Sequence, residues 1–307
     1  MTPMEACLSD LSFVTCDVFT DTQFAGNPLA IVEEAQGLST EAMQTLAREF
    51  NLSETIFVMP PQDPANTAAV RIFFPTAEIP FAGHPTIGCA LHLALKDAPE
   101  GDFECEIRLE EVAGLVPVRV WRKDGDLNAE FQAPVVPHAA PDGTAPTADL
   151  LAQALDLSPD HIGFSTHAPG IWQGGPRFMY VPVRDLEALA QARPIEPYWT
   201  EAITTGAVDN AYLYTPVEGG YRARMFSPTA GIPEDPATGS ASAILAAQLL
   251  DAGALTEGAT ALTLHQGVEM GRPSQIGFRA VTESGTLKAV YISGSARPIS
   301  TGRITVP

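Results

Sequence analysis

The sequence has little positive charge and very few lysines. It contains 37 acidic and 17 basic residues among 307, and its three lysines are Lys96, Lys123 and Lys288. The formal net charge of −20 repels phosphate backbones and anionic lipid headgroups, which argues against nucleic acid and membranes as partners. None of the lysines follows a glycine-rich turn, so the sequence lacks a phosphate-binding loop of that kind.

Cysteine is also scarce, and its spacing suits neither a disulfide framework nor a metal centre. The four cysteines are Cys7, Cys16, Cys89 and Cys105, without a CxxC pair or a His/Cys ligand spacing. In a chain of this size we expect them to be reduced, buried thiols, and we expect no metal site.

Long apolar segments are missing as well. No uninterrupted apolar run approaches the roughly 20 residues that a membrane-spanning helix needs. Residues 1–13 lack a basic region followed by an apolar run, so we expect no signal peptide. These absences predict a soluble, cytoplasmic protein.

A ten-residue segment of the sequence occurs twice. Residues 71–80 read RIFFPTAEIP and residues 224–233 read RMFSPTAGIP, with identical residues at seven of the ten positions. Two weaker matches follow the same order, namely 24–32 with 172–181 and 53–59 with 210–216. The pattern predicts a duplication whose halves meet in the Pro- and Ala-rich linker 132–147. We therefore expect an N-terminal lobe of residues 1–135 and a C-terminal lobe of residues 136–307, with the last strand able to return to the first lobe.

Each repeat runs into a helix that has almost no polar face. Residues 85–95 and 237–250 are apolar or small nearly all round, and such helices must be buried on every side. A third helix is predicted over 39–50, with Ser39 or Thr40 as its N-cap and Asn51 at its left-handed exit. We predict an α+β protein of two pseudo-symmetric lobes, each a curled β-sheet or barrel around a central apolar helix.

Proline follows a polar residue at the predicted start of both central helices, in His84-Pro85 and Asp235-Pro236. The small residues that come next allow a ligand to approach the backbone N–H groups. If the lobes are related by a pseudo-twofold axis, two positive helix ends face one interlobe cleft and can bind a small carboxylate or enolate. Helix capping alone would also explain Asp235. The different side chains at the two helix starts instead favour different functional roles for the two ends.

Five sequence motifs carry a family resemblance over nearly the whole chain. They are DVFTDTQFAGNPLAIV (17–32), NLSETIFV (51–58), FFPTAEIPFAGHPTIGCA (73–90), EDPATGSA (234–241) and HQGVEMGRPS (265–274). Together they resemble the PhzF-like phenazine-biosynthesis family, which shares the diaminopimelate epimerase fold. The resemblance implies an active site between two lobes, cofactor-independent proton chemistry and a homodimer.

The epimerase relatives use two opposed cysteines, and this sequence lacks both. The matching places look like Gly83 and Asp235, while Cys89 lies deeper in its helix and is interpreted as a core residue. Racemisation by two thiols is therefore not expected. The resemblance instead makes Glu54 the general acid/base, with His84 and Asp235 in the same pocket. It implies that Ser53, Gly83, Gly239 and Ser240 bind the substrate. Asn27 is a further candidate substrate-binding residue in the wall of the pocket, although a plain turn would also explain it.

Partial burial of Glu54 against the apolar strand that follows it would raise its pKa towards the range of an acid/base catalyst. On this hypothesis His84 is a proton donor or a hydrogen-bond partner of the substrate, and Asp235 is a second acid. We predict an isomerase that moves a proton and a double bond in a small carboxylated metabolite. The alternatives are a noncatalytic protein that binds a small anion, and an epimerase or racemase that uses carboxylates in place of thiols.

Overall fold

The computed structural model describes residues 10–307, which separate into two compact units. The described part of the first unit comprises residues 10–24, 28–129 and 295–307. The second unit comprises residues 25–27 and 130–294. The last segment of the chain therefore belongs to the same unit as residue 10.

Strands and helices are mixed along the chain, and the predicted α+β class is confirmed. The strands of the described residues are β1 (Asp10–Val18), β2 (Asn27–Val32), β3 (Glu54–Met59), β4 (Ala68–Phe73), β5 (Glu78–Ile79), β6 (Phe103–Glu111), β7 (Gly114–Lys123), β8 (Asp126–Gln132), β9 (His138–Ala139), β10 (Gly170–Gln173), β11 (Arg177–Pro182), β12 (Ala211–Val217), β13 (Gly220–Ser227), β14 (Ile232–Asp235), β15 (Gly258–Gln266), β16 (Ser274–Glu283), β17 (Thr286–Gly294) and β18 (Ala296–Thr305). The helices are α1 (Thr40–Phe50), α2 (Gly83–Lys96), α3 (Ala148–Leu155), α4 (Leu186–Gln191), α5 (Tyr198–Gly206) and α6 (Gly239–Asp251).

Helix α1 forms as its sequence predicts. Ser39 is the N-cap, and its side chain accepts a hydrogen bond from the backbone N–H of Ala42. The apolar stripe of Met43, Leu46 and Ala47 is buried, and Asn51 ends the helix with a φ of 51°. The exit at Asn51 leads the chain directly to β3, where Glu54 is the first residue.

Helix α2 is the buried centre of the first unit. Its first nine residues are all buried, as expected for a helix that has almost no polar face. The strands β1, β6 and β7 pack against it. At Gly88 an added Cβ would lie 2.6 Å from Leu29 Cδ2, so only glycine allows this close approach. The curled sheet around a central apolar helix is therefore confirmed in this unit.

Helix α6 has the same place in the second unit, where strands β10, β11, β16 and β17 contact it. Three fully buried tyrosines line this helix or its neighbours, namely Tyr180, Tyr212 and Tyr214. The hydroxyl of Tyr180 donates to the backbone oxygen of Ala241 at 2.6 Å, and that of Tyr212 lies 3.3 Å from Ser242 Oγ. These hydrogen bonds fix a helix that has few polar anchors of its own.

The duplication predicted from the repeat is visible in the strand pairings of each unit. In the first unit, β2 pairs parallel with β3, β3 antiparallel with β4, and β4 parallel with β6. In the second unit, β11 pairs parallel with β12, β12 antiparallel with β13, and β13 parallel with β15. The same order and sense of pairing in both units is the signature of a repeated unit.

The repeated arginines hold equivalent structural ion pairs. Arg71 of β4 donates two hydrogen bonds to Glu78, of 2.7 and 2.6 Å, and stacks over Phe73. In the second unit, Arg224 of β13 donates two hydrogen bonds to Glu234, of 2.8 and 2.9 Å, and its guanidinium lies over the ring of Phe226. Both arginines brace the turn that precedes a central helix.

The start of α6 differs from the sequence prediction. The helix begins at Gly239, with Thr238 as its N-cap residue, so Pro236 lies before the helix rather than in its first turn. Asp235 ends strand β14 and makes no side-chain cap, so helix capping does not explain it. In this unit β13 and β14 pair with a register shift between Met225 and Ser227, and the helix begins four residues after Asp235.

Two smaller expectations need correction. Cys16 and Cys89 are buried free thiols, but Cys105 is only half-buried because it lies near the start of β6, where the buried face opens to solvent. Cys7 lies outside the described residues. The predicted linker 132–147 contains the short strand β9, which pairs with β10. Among residues 10–307, no helix is long and apolar enough to cross a membrane.

Candidate active site

Glu54 and His84 come together in the first unit. Glu54 is the first residue of β3, and His84 is the second residue of α2. Both are buried, with relative exposures of 8% and 3%. Glu54 Oε2 lies 3.3 Å from His84 Nδ1. The strand that begins after α1 and the central helix therefore place a carboxyl and an imidazole in direct contact.

His84 is neutral at physiological pH. Burial lowers its pKa from 6.5 to about 3, and a hydrogen bond with the backbone of Pro28 offsets only part of that effect. A proline has no backbone N–H, so this hydrogen bond is accepted by the Pro28 carbonyl. Among the described residues, the buried Nε2 atom of His84 has no hydrogen-bond partner. Nδ1 therefore carries the hydrogen, and Nε2 is an acceptor open to a ligand.

The first turn of α2 brings small, buried groups to this place. Gly83 is the first helical residue and is buried, and the N-cap residue Ala82 offers no side-chain cap. Ser53, directly before Glu54, is half-buried. An uncapped helix start leaves backbone N–H groups that can donate hydrogen bonds to an anionic group.

A second cluster forms around Asp235 in the second unit. Its Oδ1 atom accepts a hydrogen bond of 2.9 Å from Asn27 Nδ2, and its Oδ2 atom accepts one of 2.5 Å from Thr238 Oγ1. Burial raises the pKa of Asp235 from 3.8 to about 6, while these two hydrogen bonds oppose the rise. Asp235 therefore exchanges its proton close to neutral pH.

Asn27 has one unused hydrogen-bonding atom in this cluster. Its Nδ2 group donates to Asp235 and also to the backbone oxygen of Ala237, at 3.0 Å. Its Oδ1 atom is buried and has no partner among the described residues. Buried acceptors are normally paired, so this atom is available to an N–H or O–H group of a ligand. Gly239 and Ser240 open the neighbouring helix α6, where Gly239 is buried and Ser240 half-buried.

Gln266 holds the Asp235 segment in place, although no role was predicted for it from the sequence. The side chain of Gln266 is fully buried at the end of β15. It donates to the backbone oxygen of Asp235 at 2.8 Å and to Thr238 Oγ1 at 3.0 Å, and it accepts from the N–H of Thr238 at 3.1 Å. The HQG triplet within the fifth motif was the available signal.

Arg272, from the same motif, fixes the chain just before Asn27. Its guanidinium donates hydrogen bonds of 2.8 Å to the backbone oxygens of Ala25 and Gly26. The N–H of Gly26 donates to the backbone oxygen of Pro273 at 3.0 Å. The segment 265–274 thus positions both Asn27 and Asp235, so it belongs to the scaffold of this cluster.

Cys89, the cysteine of the third motif, lies in the core of the first unit. Cys89 is fully buried in α2, and burial raises the pKa of its thiol. A thiol in this state is a core residue rather than a base. Within residues 10–307, no group of three or more His, Cys, Asp or Glu side chains is arranged to hold a metal ion.

Comparison with known proteins gives consistent matches across the chain. The profile of the phenazine biosynthesis-like protein family, PhzC-PhzF, matches residues 16–302. An uncharacterized isomerase of Mesorhizobium japonicum is 39% identical over 304 residues, covering 96% of this chain and 99% of that protein. The trans-2,3-dihydro-3-hydroxyanthranilate isomerase of Pseudomonas aeruginosa is 35% identical, with coverages of 95% and 98%.

Solved structures show the same fold. A PhzF-family phenazine biosynthesis protein of Bacillus anthracis matches with a TM-score of 0.85 at 22% identity, over 96% of this chain and 99% of that chain. A hydroxyproline epimerase of Agrobacterium vitis matches with a TM-score of 0.61 at 15% identity, with coverages of 97% and 93%. The fold is therefore that of the epimerase-like enzymes. Within that class, the chain belongs to the phenazine biosynthesis-like family, and the protein is an isomerase.

Proposed function

We propose that this isomerase moves a proton, and with it a double bond, within a small carboxylated substrate, and that Glu54 is its general acid/base. The observation that carries the proposal is the buried carboxyl of Glu54 in contact with a neutral imidazole, 3.3 Å from His84 Nδ1. A carboxyl excluded from water can take a proton from carbon and hold it for return.

The chemical steps balance without an external oxidant or reductant. The carboxylate of Glu54 takes a proton from one carbon of the substrate, and the C–H electron pair moves into the conjugated system. The same carboxyl then returns its proton to another carbon on the same face. The substrate gains and loses one proton, so its composition is unchanged.

The neighbouring groups bind and orient the substrate in this proposal. His84 Nε2 accepts a hydrogen bond from the substrate, because the neutral ring cannot supply a proton at a pKa of about 3. Asn27 and Asp235, in the second unit, are further proposed ligand-binding residues, with Asn27 Oδ1 as an acceptor. The start of α2, where Ala82 offers no side-chain cap, suits the substrate carboxylate.

Solvent deuterium incorporation tests the proposal. The protein is incubated in D2O with trans-2,3-dihydro-3-hydroxyanthranilate, the compound in the name of its relative, and with a panel of small carboxylated metabolites. Mass spectrometry then identifies the compound that gains deuterium or changes structure. Glu54→Gln should reduce this incorporation by at least about 100-fold, which is the usual size of an acid/base contribution.

Glu49→Gln is the matched control, because Glu49 is an exposed glutamate in α1 that loses the same charge. Equal incorporation by wild type and Glu54→Gln would remove Glu54 from the mechanism. A metabolite that stabilises the protein against heat but is recovered unchanged would favour a noncatalytic anion-binding protein. Inversion at a single carbon would favour an epimerase.

A further inference from the structure

A second buried glutamate lies close to the start of α2, and the proposed chemistry does not use it. Glu111 is the last residue of β6, with a relative exposure of 7%. Its Oε1 atom lies 2.7 Å from the hydroxyl oxygen of Thr86, which is fully buried in the first turn of α2. Thr86 follows His84 by two residues, so Glu111 contacts the helical turn that carries the imidazole.

The hydroxyl of Thr86 lies between two oxygen atoms. It is 2.7 Å from Glu111 Oε1 and also 2.7 Å from the backbone oxygen of Ala82, the N-cap residue. Thr86 has one hydroxyl hydrogen, and a carbonyl oxygen can only accept. The two contacts are separate two-centre hydrogen bonds only if Thr86 donates to Ala82 while a protonated Glu111 donates to Thr86. With an ionised Glu111, the one hydroxyl hydrogen points to one of the two oxygens, and the lone pairs of Thr86 face those of the other.

We infer that Glu111 is a positioning residue that keeps its proton at neutral pH and, through Thr86, holds the first turn of α2 and the His84 ring in place. Its role in the reaction rests on the proposed function of Glu54 and His84. The protonation itself does not, because it rests on the two oxygen contacts of Thr86 and on the burial of Glu111.

The surroundings of Glu111 favour the neutral acid. Its Oε2 atom is buried and has no hydrogen-bond partner among the described residues, which would make a full negative charge there costly. Burial is the largest influence on the pKa of Glu111, which it raises from 4.5 to about 8. The carboxyl therefore releases its proton only in mildly alkaline solution.

No charged partner from the packed elements offsets this burial within the described part of the chain. From α2, the side chain that interacts electrostatically with Glu111 is Cys89, whose own thiol pKa is raised by burial and by Glu111. From the neighbouring strand β7, Gly114 lies opposite Glu111. Ionisation of Glu111 should therefore be felt mainly by Thr86 and the turn that it closes.

The first test detects the proton directly. A difference infrared spectrum of wild type minus Glu111→Gln at pH 7 should contain the C=O band of a protonated carboxyl, and this band should disappear well above pH 8. Glu106→Gln is the control, since Glu106 lies on the same strand with an exposed side chain. Absence of the protonated-carboxyl band at pH 7 would overturn the inference.

The second test follows His84 itself. The 15N signals of its ring, assigned with His84→Gln, should shift in wild type with a midpoint near pH 8. The shift should be lost in Glu111→Gln, whose amide donates to Thr86 at every pH. It should be kept in Thr86→Ser and lost in Thr86→Val. An unchanged transition in Glu111→Gln would exclude a positioning role.

Glu54→Gln separates this inference from the proposed function. That substitution should leave the Glu111 infrared band in place, because the band does not depend on turnover. If Glu54→Gln remains active while the band is present, the proposed mechanism fails and the protonation of Glu111 stands. If the band is absent while Glu54→Gln is inactive, the protonation of Glu111 is refuted and the proposed role of Glu54 stands.

Discussion

The side-chain amide of Asn27 donates a hydrogen bond of 2.9 Å to the carboxyl of Asp235, which lies 208 positions further along the chain. Burial favours the acid, whereas this bond and the hydrogen bond from Thr238 favour the ionised carboxylate, and the pKa of Asp235 is about 6. The pKa of Asp235 is therefore set jointly by β14 and by the segment that begins β2.

Asn27→Ala should raise the pKa of Asp235 above about 6, because the opposing hydrogen bond is removed while the burial remains. A 13C NMR titration of the Asp235 carboxyl measures the change. Asn66→Ala is the control, since Asn66 donates to the carboxyl of Glu110 instead. A pKa that stays the same in Asn27→Ala would show that the hydrogen bond has no influence on Asp235.

The raised pKa of Asp235 also predicts how stability depends on pH. Between the unfolded value of about 3.9 and the folded value of about 6, the folded protein binds a proton that the unfolded chain has released. The free energy of unfolding should therefore fall as pH rises through this window, by up to about 1.4 kcal/mol per pH unit from this group.

Asp235→Asn should remove this part of the pH dependence. Denaturant unfolding of wild type and variant between pH 5 and 7.5 measures it, above the sequence pI of about 4.5. The difference in unfolding free energy between wild type and Asp235→Asn should change with pH up to about pH 6 and be constant above pH 7. Asp251→Asn, at the exposed end of α6, should retain the wild-type dependence. Parallel curves for wild type and Asp235→Asn would contradict the raised pKa.

Gln266→Leu should destabilise the second unit and lower the activity. The substitution keeps the size of the side chain but removes three hydrogen bonds to Asp235 and Thr238, leaving buried backbone groups unpaired. The expected loss is about 2–4 kcal/mol of unfolding free energy. Gln275→Leu is the control, because Gln275 is exposed on β16. Equal unfolding free energies for the two variants would show that Gln266 does not hold the Asp235 segment.

Much of the fold follows from local pattern. The two helices without a polar face could be placed because only full burial accommodates them, and the repeat implied that both units share one strand order. The start of α6 could not be placed, since the register shift in β13–β14 leaves no local signal. For the same reason Arg224 pairs with Glu234, whereas the repeat aligns Glu78 of the first unit with Gly231.

The candidate site was only partly readable from the sequence. Glu54, His84 and Asp235 lie in the motifs that carry the resemblance, but the roles of Gln266 and Arg272 depend on hydrogen bonds between distant segments. The sequence did contain a pattern that could have drawn attention to Glu111. It continues the alternation of Ile107 and Leu109 on the buried face of β6, where a carboxyl is unexpected.

Two glycines of one loop provide a matched test of how the Asp235 segment is held. Gly267 and Gly271 both have left-handed backbones, with φ of 71° and 74°. A Cβ at Gly267 would lie 2.4 Å from the backbone oxygen of Arg272 and 2.7 Å from that of Pro236, whereas a Cβ at Gly271 would meet nothing within 4 Å. Alanine is strained at both positions, but only at Gly267 does it press on the residue that follows Asp235.

Gly271→Ala should therefore lose about 1–2 kcal/mol of unfolding free energy, the usual penalty for a left-handed alanine, and keep its activity. Gly267→Ala should lose clearly more, because the clash is with backbone atoms that cannot rotate away. Its deuterium incorporation should also fall, since moving Pro236 displaces the carboxyl of Asp235. Denaturant unfolding and the D2O assay measure both quantities. If the two variants behave alike, backbone strain alone accounts for the losses, and the close packing of Gly267 on Pro236 does not position Asp235.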